Sequence, residues 1–185
     1  MRSDESAVVR KCQAGDWSEF GQLYDHYVKK VYGFVYFKTM HREDAEDLTS
    51  QTFIKAMEKI RSFDPDTNFS AWLFAIARNA VIDHFRVRKQ EARIEDCWRL
   101  DSGADIGAAA ADRETILRVI KRLDRFTPVQ REIILLRIWG GMSFSEIASA
   151  TGKSEGSVKM SFSRHIREIR SEELLRIVIL GMLIR

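Results

Sequence analysis

The chain has 185 residues, of which 45% are hydrophobic, and this suits one large domain or two small domains with packed cores. Its 30 Lys and Arg residues against 27 Asp and Glu residues leave a formal net charge of only +3. So small an excess does not by itself indicate a nucleic-acid partner, and only a local clustering of cations could do so.

The number and spacing of particular residue types argue against several classes of protein and of binding site. Cys12 and Cys97 are far apart and form no CxxC pair, which argues against a disulfide scaffold or a zinc site and fits a reducing cytoplasm. We expect no signal peptide, since the residues Met1 to Cys12 include no apolar core segment, and no apolar run reaches the length of a membrane span. The four histidines show no metal-ligand spacing, and no glycine-rich phosphate loop is present, so we expect no enzyme activity, no cofactor and no small-molecule substrate. With only two prolines and little alternation of β type, the chain is predicted to be all-α.

The first two predicted helices are separated by a glycine. The first covers Glu5 to Ala14, and Gly15 ends it. The run Asp16 to Glu19 has the pattern of a capping box, which predicts the start of a second helix that continues to about Lys38. Its apolar stripe, which we interpret as core, comprises Phe20, Leu23, Tyr24, Tyr27, Val31, Phe34 and Val35.

A third helix is predicted from about Arg42, with acidic residues in its first turn that favour the helix dipole. The apolar face comprises Ala45, Leu48, Thr52, Phe53, Ala56 and Ile60. The polar face comprises Glu43, Asp44, Asp47, Gln51 and Lys55. This face is either an ordinary solvated surface or a docking surface for a basic partner.

The residues from Ser62 to Asn68 are predicted to form a loop, and Thr67, Asn68 or Ser70 can cap the helix that follows. That helix, Phe69 to about Arg88, has a predicted core face of Phe69, Trp72, Leu73, Ile76, Ala80 and Phe85. A second face carries Asn79, Asp83 and Arg86, and the end is basic through Arg78, Arg86, Arg88, Lys89 and Arg93. Aromatic rings interleaved with cations suit a single-stranded nucleic acid, although Trp72 alone is equally explained by core packing.

Residues 90–112 are rich in Gly, Ala, Asp and Ser and are predicted to be a linker between two helical domains. A new apolar series then begins near Arg113 with Ile116, Ile120 and Leu123. The pair Thr127-Pro128 opens the next helix, with Thr as cap and Pro in the first turn, and Gly140-Gly141 ends it. Its predicted buried side is Ile133, Ile134, Leu135, Ile138 and Trp139.

A helix-turn-helix is predicted from Met142 to Arg170. A short helix from Phe144 to Ala150 buries Ile147 and Ala148, Gly152 allows the turn, and Ser154 caps the second helix. The second helix has an apolar face of Val158, Phe162, Ile166 and Ile169. Its other face carries Ser157, Lys159, Ser161, Arg164 and Arg167 with no acid among them, as a helix that reads a DNA major groove requires. An ordinary helical hairpin with a solvated basic face is the alternative.

Three stretches in this order resemble the extracytoplasmic-function (ECF) sigma factors, small two-domain members of the bacterial sigma-70 family. DAEDLTSQTF is similar to the family's core-polymerase docking segment, and NFSAWLFAIARNAVIDHFR is similar to its −10 melting and recognition segment. The stretch LDRFTPVQREIILLRIWGGMSFSEIASATGKSEGSVKMSFSRHIREIR is similar to its −35 domain. The resemblance implies a sigma domain 2 at residues 1–89, a linker at 90–112, a sigma domain 4 at 113–170 and an apolar tail at 171–185.

The resemblance also implies partners and roles. The expected partners are core RNA polymerase, promoter DNA that is duplex at −35 and single-stranded at −10, and an anti-sigma factor. Docking on core polymerase is implied for Asp44, Asp47, Leu48, Gln51 and Phe53, with Leu48 and Phe53 packed behind the polar residues. Recognition of the −10 element, including a flipped base, is implied for Phe63, Asp66, Asn68, Asn79, Asp83, Arg86 and Arg88. Recognition of the −35 element is implied for Ser157, Lys159, Met160, Ser161, Ser163, Arg164 and Arg167.

Two departures from the family pattern limit the resemblance. Met160 and Ser161 stand where many relatives carry Ser or Thr and then Arg, so this helix is expected to read a different −35 sequence, with an apolar contact such as one to a thymine methyl group. The tail from Leu174 to Arg185 is almost wholly apolar, and it either packs on the second domain or binds an anti-sigma factor or a membrane surface. Two other functions are weighed against a sigma factor. A dimeric repressor or activator would use only the helix-turn-helix, and a pure interaction protein would leave its basic face unused.

Overall fold

The structure is a computed structural model that describes residues 2–91 and 125–168, with side chains at 5–87 and 125–168. All regular structure in these ranges is helical, as predicted. The chain divides into two compact units, Met1–Asp105 and Ile106–Arg185. Each unit is described by itself below.

The first unit contains four described α-helices. They are α1 (Arg2–Gln13), α2 (Phe20–Thr39), α3 (Arg42–Lys59) and α4 (Phe69–Glu91), and a short 3-10 turn, Ile60–Ser62, follows α3. Helices α2, α3 and α4 pack on one another, and α1 lies against α2 and the 3-10 turn. The rings of Phe34 and Phe74 meet edge to face at a centroid distance of 5.4 Å where α2 and α4 pack.

The predicted apolar face of α3 is confirmed, since all six of its predicted members are buried: Ala45, Leu48, Thr52, Phe53, Ala56 and Ile60. The hydroxyl of Thr52 is satisfied by donating to the Leu48 carbonyl at 2.7 Å. A polar residue can therefore lie in this core without an unpaired group.

The predicted capping box at the start of α2 is wrong. The side chain of Asp16 accepts from the backbone N–H of Ser18 at 3.0 Å, so it forms a local turn. Glu19 is the N-cap residue but makes no side-chain cap, and its carboxylate pairs with Lys11 of α1. This pairing and its hydrogen bond raise the pKa of Lys11. A contact between two helices has thus replaced the local contact that the sequence pattern indicates.

Helix α3 begins with a cap that the sequence pattern did not indicate. Met40 ends α2 in the left-handed conformation, with φ of 54°, and its N–H donates to the Tyr36 carbonyl at 2.7 Å. The next residue, His41, accepts from the N–H of Asp44 through Nδ1 at 3.3 Å. His41 thereby takes the place that Ser, Thr, Asp or Asn usually fills at a helix start.

The predicted core face of α4 is correct near its start and wrong near its end. Phe69, Leu73, Ile76 and Ala80 are buried, and Trp72 is half-buried. Phe85, however, is 43% exposed. Val81 is the last buried residue described on α4, so the helix continues beyond the side chains that cover it.

The second unit contains three described helices: α5 (Pro128–Ile138), α6 (Phe144–Thr151) and α7 (Glu155–Glu168). Thr127 caps α5 with Pro128 in its first turn, as predicted, and Gln130 completes a capping box. Gly152 has a φ of +66° after α6, and Ser154 accepts from the N–H of Ser157 at 3.3 Å at the start of α7. The predicted helix-turn-helix is therefore confirmed over the described residues.

The core of the second unit lies between α5, α6 and α7. Its buried side chains include Ile133, Ile134, Leu135, Leu136, Trp139, Met142, Ile147 and Val158. Ile138, predicted to be buried, is only partly covered.

Several predicted features lie outside the described residues. These are the linker after Glu91, the apolar series that begins near Arg113, Ile169 and the tail 171–185. The side chains of Arg88 and Lys89 and all of Arg93 also lie outside. Helix α4 extends to Glu91, so the first two residues of the predicted linker are helical. No helix among the described residues is long and apolar enough to cross a membrane.

Candidate polymerase and nucleic-acid interfaces

The outer face of α3 presents two of the five residues predicted to dock on polymerase. Asp47 and Gln51, one helical turn apart, are exposed, whereas Leu48 and Phe53 are buried beneath them. Asp44 is partly buried: its Oδ2 lies 3.5 Å from Nδ1 of His41 and 3.3 Å from Nε2 of His84 on α4. The first turn of α3 is thus connected to α4, and Asp47 and Gln51 are the predicted members that face outward.

The sequence interpretation missed two exposed apolar residues of α3, one on this face and one at its edge. Ile54 is 56% exposed and Met57 is 41% exposed. Ile54 follows Asp47 by two helical turns and Gln51 by about one, so it lies on the same side of α3. Helical spacing could have shown this, because both residues fall outside the predicted apolar stripe. Exposed apolar side chains in line with polar ones favour contact with a protein surface.

The loop between the 3-10 turn and α4 is tightly ordered by its own hydrogen bonds. The N–H of Asp66 donates to the Asp64 side chain at 3.0 Å, and the N–H and the hydroxyl of Thr67 both donate to the Asp64 carbonyl. Asn68 accepts from the N–H of Ala71 at 3.3 Å and caps α4, one of the three caps considered possible. The exposed side chains of the loop are those of Asp64, Asp66 and Thr67.

Two aromatic residues support this loop. Phe63, predicted to act in −10 recognition, is only 6% exposed, and its ring lies 4.7 Å from that of Trp72 and 5.7 Å from that of Phe69. Trp72 is half-buried, so it both packs on the core and forms part of the surface. In this conformation Phe63 supports the loop from within, and Trp72 is the aromatic ring that a base could reach.

The predicted polar face of α4 is exposed. Asn79, Asp83 and Arg86 all lie at the surface, and Asp83 and Arg86 approach to 4.0 Å. Ile82 is exposed between them, a residue that the sequence interpretation did not assign. The face therefore offers an amide, an ion pair and an apolar side chain along two helical turns.

Helix α7 turns a cationic face away from the core. Val158 is buried, and the exposed side chains include the predicted Ser157, Lys159, Met160, Arg164 and Arg167, with Ser161 and Ser163 partly covered. Met160 is 60% exposed and lies one turn before Arg164 and two turns before Arg167. The acids Glu155 and Glu168 are also exposed, at the two ends of the helix. An apolar side chain in a cationic setting can meet a thymine methyl group while the cations meet phosphate or guanine.

His165 is a buried member of α7 that the sequence interpretation missed. It is 7% exposed, and its ring lies 4.8 Å from that of Phe126. His165 belongs to the same helical stripe as Val158 and Phe162, and this spacing could have indicated its burial. It is thus a packing residue of the second unit.

Metal chemistry receives no support from the described residues, where no group of three or more His, Cys, Asp or Glu side chains is arranged to hold an ion. Burial raises the pKa of Tyr32 to about 12, and burial with a hydrogen bond to Glu5 raises that of Tyr27 above its usual range. Both hydroxyls belong to the packing of α2, so neither indicates a reactive site.

Comparison with known families assigns both units. The family described as Sigma-70 region 2 matches residues 23–91, and the family described as Sigma-70, region 4 matches residues 116–166. The first match contains the α3 face, the loop and α4. The second contains α5, α6 and α7 as far as Ile166.

Individual relatives extend these matches along most of the chain. The ECF RNA polymerase sigma factor BldN of Streptomyces coelicolor is 35% identical over 88% of this chain, which spans 63% of the length of that relative. The ECF RNA polymerase sigma factor SigX of Bacillus subtilis is 30% identical over 85% of this chain and 85% of its own.

Solved structures have the same fold. The chain superimposes on CnrH, solved with the cytosolic domain of CnrY, with a TM-score of 0.66 at 24% identity, covering 95% of this chain and 96% of that chain. It superimposes on RpoE, solved with the anti-sigma factor NepR from Bartonella quintana, with a TM-score of 0.61 at 25% identity. The match covers 90% of this chain and 99% of that chain. With SigX matched over most of both chains, this chain belongs to the ECF RNA polymerase sigma factors of the sigma-70 family.

Proposed function

We propose that this RNA polymerase sigma factor directs promoter-specific initiation through three surfaces. The outer face of α3 docks on core polymerase, the loop before α4 and the exposed face of α4 recognise an opened −10 element, and α7 reads a duplex −35 element. The observation that carries the proposal is the occurrence in one chain of a region 2 match and a region 4 match, each containing a surface suited to its task.

The α3 face supports docking because it combines polar and apolar groups. Asp47 and Gln51 can pair with polar or basic groups of a partner, and Ile54 and Met57 supply apolar area that becomes buried on contact. Burial of apolar area provides affinity, while complementary charge provides orientation and a faster encounter.

The first unit supports recognition of separated strands. A base that leaves the stack loses a few kcal/mol, which stacking on an aromatic ring and hydrogen bonds can offset. Trp72 offers a partly exposed ring, Asn79 offers an amide, and Arg86 offers a cation for phosphate. We assign recognition of the −10 element also to Asp66, Asn68, Asp83 and Arg88, while Phe63 supports the loop from within.

The second unit supports recognition of a duplex. Lys159, Arg164 and Arg167 can contact phosphates or guanine, the three serines can donate or accept, and Met160 supplies an apolar contact. This assignment needs no catalytic group, and we propose that the chain acts in the cytoplasm as a non-enzymatic initiation factor.

An anti-sigma factor is a further proposed partner. The solved relative RpoE is complexed with the anti-sigma factor NepR, and it covers 90% of this chain. A protein that turns polymerase toward selected promoters requires control, and sequestration by a second protein would cover the surfaces described above. The tail from Leu174 to Arg185 remains a candidate for this contact, alongside packing on the second unit and contact with a membrane surface.

In vitro transcription tests the proposed function. Core polymerase from the source cell, genomic promoter templates and the purified chain are combined, and the transcripts are sequenced. We expect start sites that appear only when the chain is added. If no such transcripts appear, and the chain alone protects a palindromic site from nuclease, the stand-alone regulator is correct and the sigma function is wrong.

Docking is tested by placing positive charges on the α3 face. Asp47→Arg with Gln51→Arg should weaken binding to core polymerase at least tenfold, because each new cation meets a surface suited to an acid or an amide. A fluorescence titration of core polymerase with labelled protein measures the Kd.

The matched control for the docking test lies on α2. Asp25→Arg with Gln22→Arg changes the charge by the same amount on another exposed face. Equal affinity of the two double variants for core polymerase would contradict the docking assignment, and a thermal melt of each shows that both are folded.

A further inference from the structure

Helix α1 ends directly against the start of the loop that precedes α4. The side-chain amide of Gln13, the last residue of α1, donates to the carbonyl of Ile60 at 2.9 Å and to the carbonyl of Phe63 at 2.7 Å. Both amide protons are thereby used, and the two acceptors lie at the two ends of the 3-10 turn. One side chain therefore fixes the position at which the loop begins.

A second contact from α1 reaches the middle of the loop. Arg10, one turn before Gln13, donates through Nη2 to Oδ1 of Asp66 at 2.7 Å. Both side chains are largely exposed, so this ion pair adds little stability on its own. It does bring a cation to the carboxylate that the loop would otherwise present unpaired to a nucleic-acid backbone.

Helix α1 is itself firmly held. Val8, Val9 and Cys12 are buried, and Glu5 accepts from the hydroxyl of Tyr27 on α2 at 2.8 Å. The contacts of Gln13 and Arg10 therefore join the loop to a packed element. On its other side the loop is held by the buried ring of Phe63 against Phe69 and Trp72.

We propose that α1 is a positioning element for −10 recognition, in which Gln13 sets the loop entrance and Arg10 neutralises Asp66. This inference rests on the proposed function of the loop. A loop already held in its binding conformation loses less conformational freedom when it captures an unstacked base, so capture is stronger. Because a loop that is held in place cannot rearrange to accept a different base, it also discriminates better at −10. Gln13 and Arg10 are positioning residues, since they act through the loop and need not contact DNA.

The test measures base preference position by position. Transcription with core polymerase is run on a promoter library in which each −10 and each −35 position is varied in turn. Gln13→Met removes both donors at similar side-chain length, and Gln13→Glu places a carboxylate against two carbonyls. We expect both variants to reduce discrimination at −10 positions by up to about tenfold and to leave discrimination at −35 unchanged. Arg10→Glu should act in the same direction by about twofold.

Controls separate positioning from general damage. Gln22→Met and Gln22→Glu make the same chemical changes on the exposed face of α2 and should leave both preferences intact. Equal losses at −10 and −35 in the Gln13 variants, or no loss at either, would overturn the role of α1. If the Gln13 variants fail to fold, the exposed Arg10→Glu variant decides: an unchanged −10 preference overturns the inference. Absence of promoter-specific transcripts with the unaltered chain would instead refute the proposed function itself.

Discussion

Met160 places an uncharged side chain among cations on the exposed face of α7. Removing the Met160 side chain should therefore alter the preference for a −35 sequence more than the overall affinity for promoter DNA. The relevant probe is uracil, which lacks the methyl group of thymine and pairs identically. We expect uracil at one −35 position to weaken promoter binding by the unaltered holoenzyme about fivefold, which corresponds to roughly 1 kcal/mol.

The Met160→Ala variant should be insensitive to that same replacement, because the side chain that meets the methyl group is gone. Competition binding of holoenzyme to thymine and uracil templates measures the coupling between the two changes. Val129→Ala, which shortens another exposed apolar side chain of the second unit, is the control and should keep the full sensitivity. Equal sensitivity of Met160→Ala and the unaltered chain would exclude a methyl contact at this residue.

His26 gives a pH dependence of stability whose sign can be worked out. Burial and then the nearby Lys30, whose Nζ lies 2.9 Å from Nε2, lower the pKa of His26 from its usual value of 6.5. Between that value and the lowered one, the unfolded chain binds more protons at this site than the folded chain, so the folded state loses stability as pH falls.

Replacing His26 with Gln should remove this part of the acid sensitivity. We expect the fall in Tm between pH 7.5 and pH 5 to be smaller in His26→Gln than in the unaltered chain. Thermal melts followed by circular dichroism at both pH values measure it. A fall in Tm as large as that of the unaltered chain would contradict the assignment to His26.

At the scale of elements, the turn between α6 and α7 depends on one backbone conformation. Gly152 has a φ of +66° and nothing within 4 Å of an added Cβ, so Gly152→Ala introduces backbone strain without a clash. We expect a loss of about 1 kcal/mol of unfolding free energy in the second unit. Chemical denaturation monitored at Trp139 measures this loss.

Gly156→Ala is the matched control, because Gly156 lies in the first turn of α7 and also has open space around its Cβ. There the alanine should keep or raise stability, since alanine is the better helix former. Equal destabilisation by the two substitutions would show that the left-handed turn is not the cause.

Local patterns predicted those parts of the fold that local contacts determine. The Thr127 cap, the turn at Gly152 and the buried stripe of α3 each depend on residues within a few positions, and all three are confirmed. The prediction of a capping box at Asp16 was wrong because Lys11, from another helix, pairs with Glu19. The prediction that Phe85 lies in the core was wrong because the sequence does not show where the helices that cover α4 end.

The candidate surfaces follow the same division. Spacing along α3 and α7 was enough to predict that Asp47, Gln51 and Lys159 would lie outward, as they do. It did not reveal that Phe63 would be buried, since a loop has no periodicity from which orientation can be read. The contacts of Gln13 and Arg10 with the loop were equally hidden, because each joins residues that are distant in sequence.

At the scale of the whole molecule, a net charge of only +3 gives the chain no strong overall attraction to DNA. Affinity can instead be shared between polymerase, the first unit and the second unit, with each surface adding a modest term. Linked sites of this kind reach high combined affinity without a strongly basic surface. The consequence is that loss of one surface should affect one promoter element and leave the other in use.

Two variants on two templates test this division of labour. Lys159→Ala with Arg164→Ala should weaken holoenzyme binding to an intact promoter and lower the salt slope by about 2, because two phosphate or base contacts are lost. On a template that ends downstream of the −35 element the same variant should match the unaltered chain, since neither phosphates nor bases are left there for Lys159 and Arg164 to contact. Asn79→Ala should keep its defect on that template and lose it when the −10 sequence is scrambled. Gel-shift titrations of holoenzyme over a range of salt concentrations measure both effects. If the two variants lost their defects on the same template, −10 and −35 recognition would not be divided between α4 and α7, and the two units would act on one element together.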